Sequence, residues 1–184
     1  MTTIVLGSTD PLTSALADGL DAVMSGLAAP LPPAVDGVVV VVGACSATTV
    51  DAGEAMWQTL VALQHSHTAM TQRGGRIVLV VPTIGMAGAA GGVGYTTAIE
   101  GIRAMTKSAA RQWCSDDITV NLVAAPVGLF APGVDASHLT AAAFPDDSTL
   151  IHSIVETTKF LLRRDIDHLV GATIVVDGGS VMLP

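Results

Sequence analysis

Two short runs of consecutive apolar residues constrain the fold of this chain more than any other feature. They are Val38–Val42 and Ile77–Val81, and no polar side chain interrupts either of them. A strand with one solvent-exposed face alternates apolar and polar residues, whereas a strand that is apolar throughout is buried on both faces. Half of the residues are hydrophobic but only 3% are aromatic, so Val, Ala, Leu and Ile must fill the core. These runs predict a parallel sheet that is covered by helices on both sides.

Strands and helices alternate along the whole sequence. The apolar runs and turn signals predict five strands, at Thr3–Leu6, Gly37–Val42, Arg76–Val81, Ile118–Ala124 and Ala172–Val176. Helical spacing and end signals predict helices from Pro11 to about Gly26, and over Asp51–Arg73, Tyr95–Trp113 and Ser148–Arg164. Strands that alternate with helices imply right-handed crossovers and a parallel sheet. The predicted fold class is therefore α/β, with a mostly parallel sheet of about five strands.

The first helix has a clear predicted start. Asp10 carries the side chain of a helix N-cap, and Pro11 follows at the first helical position, where an N–H would have no helical partner. Leu12, Leu16, Leu20 and Val23 then recur at helical spacing. This pattern predicts a helix that ends near Gly26.

The composition narrows the class of protein. The chain has 184 residues, which fit one domain, 1–184. Its net charge of −8 argues against nucleic acid and anionic membranes as partners. The apolar runs are far shorter than the roughly 20 residues of a membrane helix, and no secretory leader is expected. Cys45 and Cys114 are too few for a disulfide framework, and the histidines lack metal-ligand spacing. We expect a soluble cytoplasmic domain without a metal site.

Three sequence blocks carry a resemblance to a known family. They are Gly75–Val78 leading to Tyr95, then Ile118–Ala124, and the closing run Gly171–Gly179. In this order and at this spacing, the chain resembles the short-chain dehydrogenase/reductase family over nearly its whole length. The resemblance implies a Rossmann-like three-layer sandwich with a shortened sheet. It also implies oligomerisation through the helices predicted at 51–73 and 95–113.

The catalytic residues of that family are largely replaced here. The family uses a Tyr as general acid/base, a Lys one helical turn later, and a Ser before the Tyr. Tyr95 matches the Tyr, but Ile99 stands at the Lys position and Pro82, thirteen residues before Tyr95, stands near the Ser position. A phenol with a pKa of about 10 is a poor base at neutral pH without a nearby cation. We therefore expect no catalytic residue, with Tyr95 as a remnant whose hydroxyl reaches solvent or the backbone.

The cofactor end of the family pattern is also degraded. Its first strand-to-helix turn has three glycines that let the backbone approach the pyrophosphate of NAD(P). Only Gly7 remains, and Asp10 places a carboxylate where phosphate charge would sit. A complete member is expected to have roughly 50–60 more residues, forming two strands and their helices, where this chain has the Pro-rich loop 27–36. No cofactor is therefore expected in this chain, and NAD(P) is expected in a partner subunit.

A fold that is kept without its catalytic residues points to a structural role. Loss of two strands is expected to expose the edge of the first strand, and only 13% of the residues are charged, about half the usual quarter. Our hypothesis is a non-catalytic subunit that pairs with a full-length, active family member as a heterodimer or heterotetramer. The expected contacts are helices 51–73 and 95–113 and the last helix and strand. The subunit would stabilise or shape the partner's active site, with acyl-CoA-type compounds as one substrate class.

Two alternatives stay open. One is a divergent NAD(P)-dependent oxidoreductase that uses Tyr95 with Thr83 or Lys107. Lys107 lies twelve residues past Tyr95, over three helical turns away, and Thr83 is expected to point to the other side of the strand end. The other alternative is a module that binds a small ligand in the cleft above the strand ends. Titration with NADH and NADPH separates the enzyme from the non-catalytic subunit.

Overall fold

The computed structural model describes residues 1–42, 52–139 and 147–182. The strands are β1 (Thr3–Leu6), β2 (Val23–Ser25), β3 (Gly37–Val41), β4 (Gly75–Pro82), β5 (Ile118–Ala125) and β6 (Thr173–Val175). The helices are α1 (Pro11–Gly19), α2 (Ala52–Met70), α3 (Ile84–Ala87), α4 (Val93–Trp113) and α5 (Asp147–Leu161). In the described part of the chain the strands form one sheet in the order β2-β1-β3-β4-β5-β6, and every neighbouring pair is parallel.

The sheet is the middle layer of three, as the α/β prediction requires. Alternate residues of β3, β4 and β5 face opposite sides because the side-chain period of a strand is two. On one side, Val40, Leu79 and Leu122 pack in a core cluster with residues of α2 and α4. On the other side, Val41, Val80 and Val123 pack with residues of α1 and α5. The five residues of β3 and the eight of β4 are all buried, so the apolar runs that predict a doubly covered sheet do form its centre.

Strand β2 is the main departure from the predicted element order. Helix α1 ends at Gly19, and Asp21 then adopts a left-handed φ of 49°, so the predicted extension to about Gly26 is wrong. Asp tolerates this conformation better than most residues, and the backbone N–H of Ala22 closes the helix end on the carbonyl oxygen of Ala17 at 2.9 Å. Val23 is 70% exposed on β2, so its helical spacing was misleading. Because β2 pairs with β1, the sheet has six strands rather than five, and β1 is not an exposed edge.

The start of α1 is confirmed at atomic detail. Asp10 is the N-cap residue and Pro11 is the first helical residue. One carboxylate oxygen of Asp10 accepts a hydrogen bond from the backbone N–H of Thr13 at 2.8 Å. The other accepts from the hydroxyls of Ser8 at 2.9 Å and Thr13 at 2.8 Å. The carboxylate therefore holds the β1–α1 turn and the helix start together.

Replacing Asp10 with alanine is expected to lower the free energy of unfolding by about 1–2 kcal/mol. The reason is that the change removes the acceptor of one backbone donor and two hydroxyl donors, and lost N-caps commonly cost this much. Urea denaturation of the two proteins measures the difference. Asp10→Asn is the matched control, because an amide oxygen also caps a helix, and it should retain most of the stability. Equal losses in both variants would contradict the capping role.

Two arginines link the segments at the N-terminal ends of the parallel strands. Arg76 lies at the start of β4 and is only 2% exposed, and its guanidinium bonds to the turns that precede β5 and β6. Arg164 donates to the Asp36 carboxylate at 3.2 Å, and the second oxygen of that carboxylate accepts from the backbone N–H of Thr2 at 2.7 Å. Ligands in α/β folds bind at the carboxyl ends of the strands. The opposite end of this sheet is held together mainly by hydrogen bonds from charged side chains.

The described residues contain no helix that is both long enough and apolar enough to cross a membrane.

Candidate functional site

The positions matched to the family's catalytic residues meet at the carboxyl ends of β4 and β5. Strand β4 ends at Pro82 and leads at once into the short helix α3, and α4 begins at Val93 after a glycine-rich segment. Tyr95 lies in the first turn of α4, beside α3. The local sequence therefore places Pro82, Tyr95 and Ile99 around one end of the sheet, as the resemblance implies.

Tyr95 is enclosed by the protein. Its side chain is 7% exposed and belongs to the same core cluster as Ile84 of α3 and Ile99 of α4. The phenolic oxygen itself has almost no solvent-accessible area. The hydroxyl therefore does not reach solvent, which was one of the two outcomes expected from the sequence.

Ile99 fills the position one helical turn beyond Tyr95 with a buried apolar side chain. It is 2% exposed. Gly85 of α3 approaches it so closely that a Cβ on Gly85 would lie 2.8 Å from the Ile99 Cγ2 atom and 3.0 Å from a carboxylate oxygen of Glu100. The absence of a side chain on Gly85 thus lets α3 pack directly on this turn of α4. The environment of position 99 is suited to a hydrocarbon and not to an ammonium group.

Pro82 is the last residue of β4 and pairs with Ala125 of β5. Because Val78 and Val80 face the α1/α5 side, the period of two turns Pro82 to that side as well, whereas Tyr95 packs on the α2/α4 side. Thr83 is buried, donates its backbone N–H to the Ala125 carbonyl oxygen at 2.8 Å, and leads into α3. The Ser position of the family pattern therefore carries no hydroxyl.

Lys107 does not join this group of residues. Its side chain is exposed on α4, twelve residues and about 18 Å of helix beyond Tyr95 at 1.5 Å per residue. The structure thus places Pro82, Thr83, Tyr95 and Ile99 at one end of the sheet, with Pro82 and Tyr95 on opposite faces, and leaves the lysine of the enzyme alternative outside. Among the described residues, no group of three or more His, Cys, Asp or Glu side chains could hold a metal ion.

The segment after β5 contacts the glycine-rich segment between α3 and α4. A ring nitrogen of His138 lies 2.9 Å from the carbonyl oxygen of Gly88, and Val134 and Leu139 pack against the α2/α4-side core cluster. Hydrogen bonds from Ser137 lower the pKa of Asp135 in the same segment. Sequence reasoning missed the His138 contact, because no local pattern links residues that are fifty positions apart.

The second part of the family's site, the first strand-to-helix turn, is occupied by the protein's own groups. The Asp10 carboxylate sits at the N-terminus of α1, where a bound anion would accept backbone N–H bonds. Gly7 is the one glycine retained, and a Cβ there would lie 3.1 Å from the side chain of Thr13 and 3.2 Å from Val41. Gly7 therefore serves the close packing of β1, α1 and β3. Cys45 lies outside the described residues.

The shifted pKa values on α5 and the turn after it belong to surface ion pairs. Lys159 lowers the pKa of Glu156, and Arg163 lowers the pKa of Asp165. Both pairs arise from residues close in sequence. They explain local surface electrostatics and supply no acid or base to the Tyr95 region.

Comparison with known proteins gives a consistent result. Residues 19–181 match the family model described as Enoyl-(Acyl carrier protein) reductase. The 3-oxoacyl-(acyl-carrier-protein) reductase FabG of Salmonella typhimurium is 30% identical over 126 residues, 62% of this chain and 49% of that protein. The protein of the same name from Staphylococcus aureus strain Mu50 is 32% identical over 123 residues, 61% of this chain and 48% of that protein. The chain thus spans about half the length of the curated relatives it matches.

Proposed function

Because this chain belongs to the short-chain dehydrogenase/reductase family, we propose that it is a non-catalytic subunit that pairs with a complete family member and shapes its active site. The observation that carries the proposal is the turn of α4 from Tyr95 to Ile99. The phenol is buried and the position of its activating cation holds a buried isoleucine. Without a nearby cation, a tyrosine is a poor proton donor and acceptor at neutral pH.

The residues at the N-terminus of α1 do not fit a nicotinamide dinucleotide. A pyrophosphate needs free backbone N–H groups and close access to the helix start. Here the Asp10 carboxylate already takes the N–H of Thr13, and its negative charge opposes a second anion. We therefore assign no step of a hydride transfer to this chain, and the proposed complex takes its NAD(P) site from the partner.

The surfaces proposed for pairing are the outer faces of α2, α4 and α5 and the edge strand β6. The backbone N–H groups of Leu122 and Val176 bond across β5 and β6 at 2.8 Å, to Ala172 and Ala124 respectively. Alternation along the strand therefore turns the backbone groups of Thr173 and Val175 away from β5. All three residues of β6 are only half-buried. An unprotected sheet edge of this kind favours association with another chain.

Acyl thioesters are the substrate class we propose for the complex. The support is that the relatives named above are reductases of 3-oxoacyl groups carried on a protein. This chain would contribute by holding the partner's helices in place, and the partner would supply the reacting groups.

Titration of the purified chain with NADH and NADPH is expected to give no saturable binding. The reason is that Asp10 occupies the helix start that would hold the pyrophosphate. Calorimetry and cofactor fluorescence both measure this, with a complete family member as the positive control. Tight, stoichiometric binding to the isolated chain would reject the proposal and favour an enzyme.

The pairing itself is tested by purifying the tagged chain from its own source cells and identifying co-purified proteins by mass spectrometry. A complete family member is expected in stoichiometric amount, and its reductase activity or thermal stability should fall when this chain is removed. Tyr95→Phe is the matched variant for catalysis, because it deletes only the hydroxyl, and the activity of the complex should be unchanged. A stable monomer with no dehydrogenase partner, or a large loss of activity in Tyr95→Phe, would contradict the proposed role.

One observation favours a second candidate, a divergent NAD(P)-dependent reductase. Strand β2 lies beside β1, so more of the sheet next to the first strand is present than the sequence suggested. In a doubly wound fold that region lies next to the adenosine half of a dinucleotide. The NADH and NADPH titration decides between the two candidates.

A further inference from the structure

The loop between β2 and β3 carries three closely spaced prolines that belong to no helix or strand. Residues 29–33 are Ala-Pro-Leu-Pro-Pro, and the side chains of Pro30, Pro32 and Pro33 are exposed. Every one of these five residues either is a proline or directly precedes one. Proline fixes φ at about −65°, and the residue before a proline is held in the β or polyproline II region. The sequence thus favours a short polyproline II helix over 29–33, which we name the proline segment.

The structure of the proline segment agrees with that conformation. Residues 29–32 form no helix, strand or turn, and the peptide bonds before Pro30, Pro32 and Pro33 are trans. Ala34 adopts a left-handed φ of 69°, so the extended run ends at Pro33. A polyproline II helix has no hydrogen bonds within itself, so its carbonyl oxygens can accept hydrogen bonds from a partner.

Apolar contacts and one hydrogen bond hold the proline segment on the protein. Leu31 is partly buried against the α2/α4-side core cluster, as is Leu27 before the segment, and Val35 after the segment belongs to that cluster. A ring nitrogen of His65 on α2 lies 3.1 Å from the carbonyl oxygen of Ala29. A partner would therefore meet a segment whose conformation is already fixed. Binding such a segment loses less conformational entropy than ordering a mobile loop does.

The prolines lie on the side of the segment that faces solvent. With three residues per turn, Pro30 and Pro33 share one edge of a polyproline II helix, and Leu31 lies on another. The Leu31 edge packs on the core cluster, whereas both prolines of the other edge are exposed. Prolines spaced three residues apart are the pattern that grooves lined with aromatic side chains recognise. The proline segment therefore presents a recognisable edge outward.

We propose that the proline segment docks a partner protein whose groove is lined with aromatic side chains. The segment has no ionisable side chain, and the nearby Asp36 carboxylate is already engaged by Arg164 and the backbone N–H of Thr2. Charge therefore does not select the partner, and nucleic acid, which binds mainly through its phosphates, is excluded. The features left for recognition are the proline rings and the backbone carbonyl oxygens. The inference goes beyond the proposed function and does not rest on it.

The partner is a different chain rather than a second copy of this one. An aromatic-lined groove needs several rings close together. Of the five Phe, Trp and Tyr side chains that the structure describes, Trp57 and Phe160 are exposed. Trp57 lies on α2 and Phe160 on α5, on opposite sides of the sheet, so these two rings cannot line one groove.

Purified SH3 and WW domains serve as probes, because their aromatic-lined grooves bind polyproline II helices. Isothermal titration calorimetry of the folded chain with these domains is expected to show saturable binding by at least one of them. Pro30→Ala/Pro33→Ala should weaken that binding about ten-fold or more, since truncation of interface anchors commonly costs this much. The matched control is Pro11→Ala, which makes the same change at an exposed proline outside the segment and should bind as the wild type does.

Natural partners are tested with the same three proteins as bait in an extract of cells that express the chain. A protein that the wild type and Pro11→Ala retain, that Pro30→Ala/Pro33→Ala loses and that a synthetic peptide of residues 27–36 displaces supports the inference. If neither a probe nor any extracted protein depends on the two prolines, the inference is overturned and they only stiffen the loop. Thermal denaturation would then show a less stable variant with unchanged binding. Equal retention of a complete family member by all three proteins would support the proposed function even where this inference fails.

Discussion

Replacing Arg76 with methionine is expected to lower the free energy of unfolding by about 3 kcal/mol. The guanidinium of Arg76 donates to the Asp167 carboxylate at 2.7 Å and to the carbonyl oxygens of Gly75 at 3.0 Å and Asp117 at 3.2 Å. A further bond reaches the carbonyl oxygen of Arg163 at 3.3 Å. Methionine fills the volume of the side-chain stem but removes all of these donors, although the carbonyl oxygen of Asp117 keeps a second donor in the backbone N–H of Gly75 at 3.0 Å.

The cost comes from the acceptors and not from the ion pair. The side chain of Asp167 is 64% exposed, so water can solvate it when the arginine is lost. The hydrogen bond from the guanidinium to the Gly75 carbonyl oxygen is buried, so water does not readily replace the arginine there. Because Asp117 precedes β5 and Arg163 and Asp167 precede β6, the loss of the arginine should loosen two connections at once.

Thermal and urea denaturation measure the effect of Arg76→Met. Arg73→Met is the matched control, because that side chain is exposed and forms no ion pair with a described residue, and its stability should be unchanged. Arg76→Lys should fall between the two, since an ammonium keeps the charge but not the planar fork of donors. Equal stability of Arg76→Met and wild type would show that water replaces the guanidinium, and would reject the role of Arg76 in joining the turns before β5 and β6.

The layer order and the central strands could be predicted because their signals are local. Runs such as Val38–Val42 carry the buried strand within their own residues, and Asp10-Pro11 carries the helix start in the same way. The end of α1 depends on one residue, Asp21, in a left-handed conformation, and many sequences place Asp at such a position without ending a helix. The helical spacing of Val23 therefore predicted a longer helix, because the left-handed conformation of Asp21 is visible only in the folded chain.

The candidate site likewise contains some features that the sequence predicts and others that it does not. The residues at 82, 95 and 99 are identified by the resemblance to the family pattern and its spacing, so the amino-acid sequence is enough to find them. Tyr95 is buried in a core cluster with Ile84 of α3, which lies in a segment with the composition of a glycine-rich loop, and His138 contacts that segment from a distant part of the chain. The role of Gly85 as the contact point for Ile99 is likewise a property of two elements meeting. Such contacts between distant segments leave no periodic trace in a sequence.

Restoring the family's lysine by Ile99→Lys is expected to destabilise the protein by about 3–5 kcal/mol at neutral pH rather than to restore catalysis. The side chain at 99 is 2% exposed among apolar neighbours, and α3 packs on it through Gly85. An ammonium group there loses its hydration, and the Glu100 carboxylate beside Gly85 is already paired with Arg103. The variant should also bind no NADPH, because Asp10 still occupies the start of α1.

The pH dependence gives Ile99→Lys a signature that a simple packing defect lacks. Burial lowers the pKa of the new lysine in the folded state, so the unfolded chain binds more protons and stability rises with pH. The deficit relative to wild type should therefore be greatest near pH 6 and should shrink as the pH approaches about 10, the ordinary pKa of lysine. Thr97→Lys, at an exposed position of the same helix, should show neither the loss nor the slope. A deficit independent of pH would mean that the ammonium reaches solvent, and it would contradict the enclosed environment assigned to position 99.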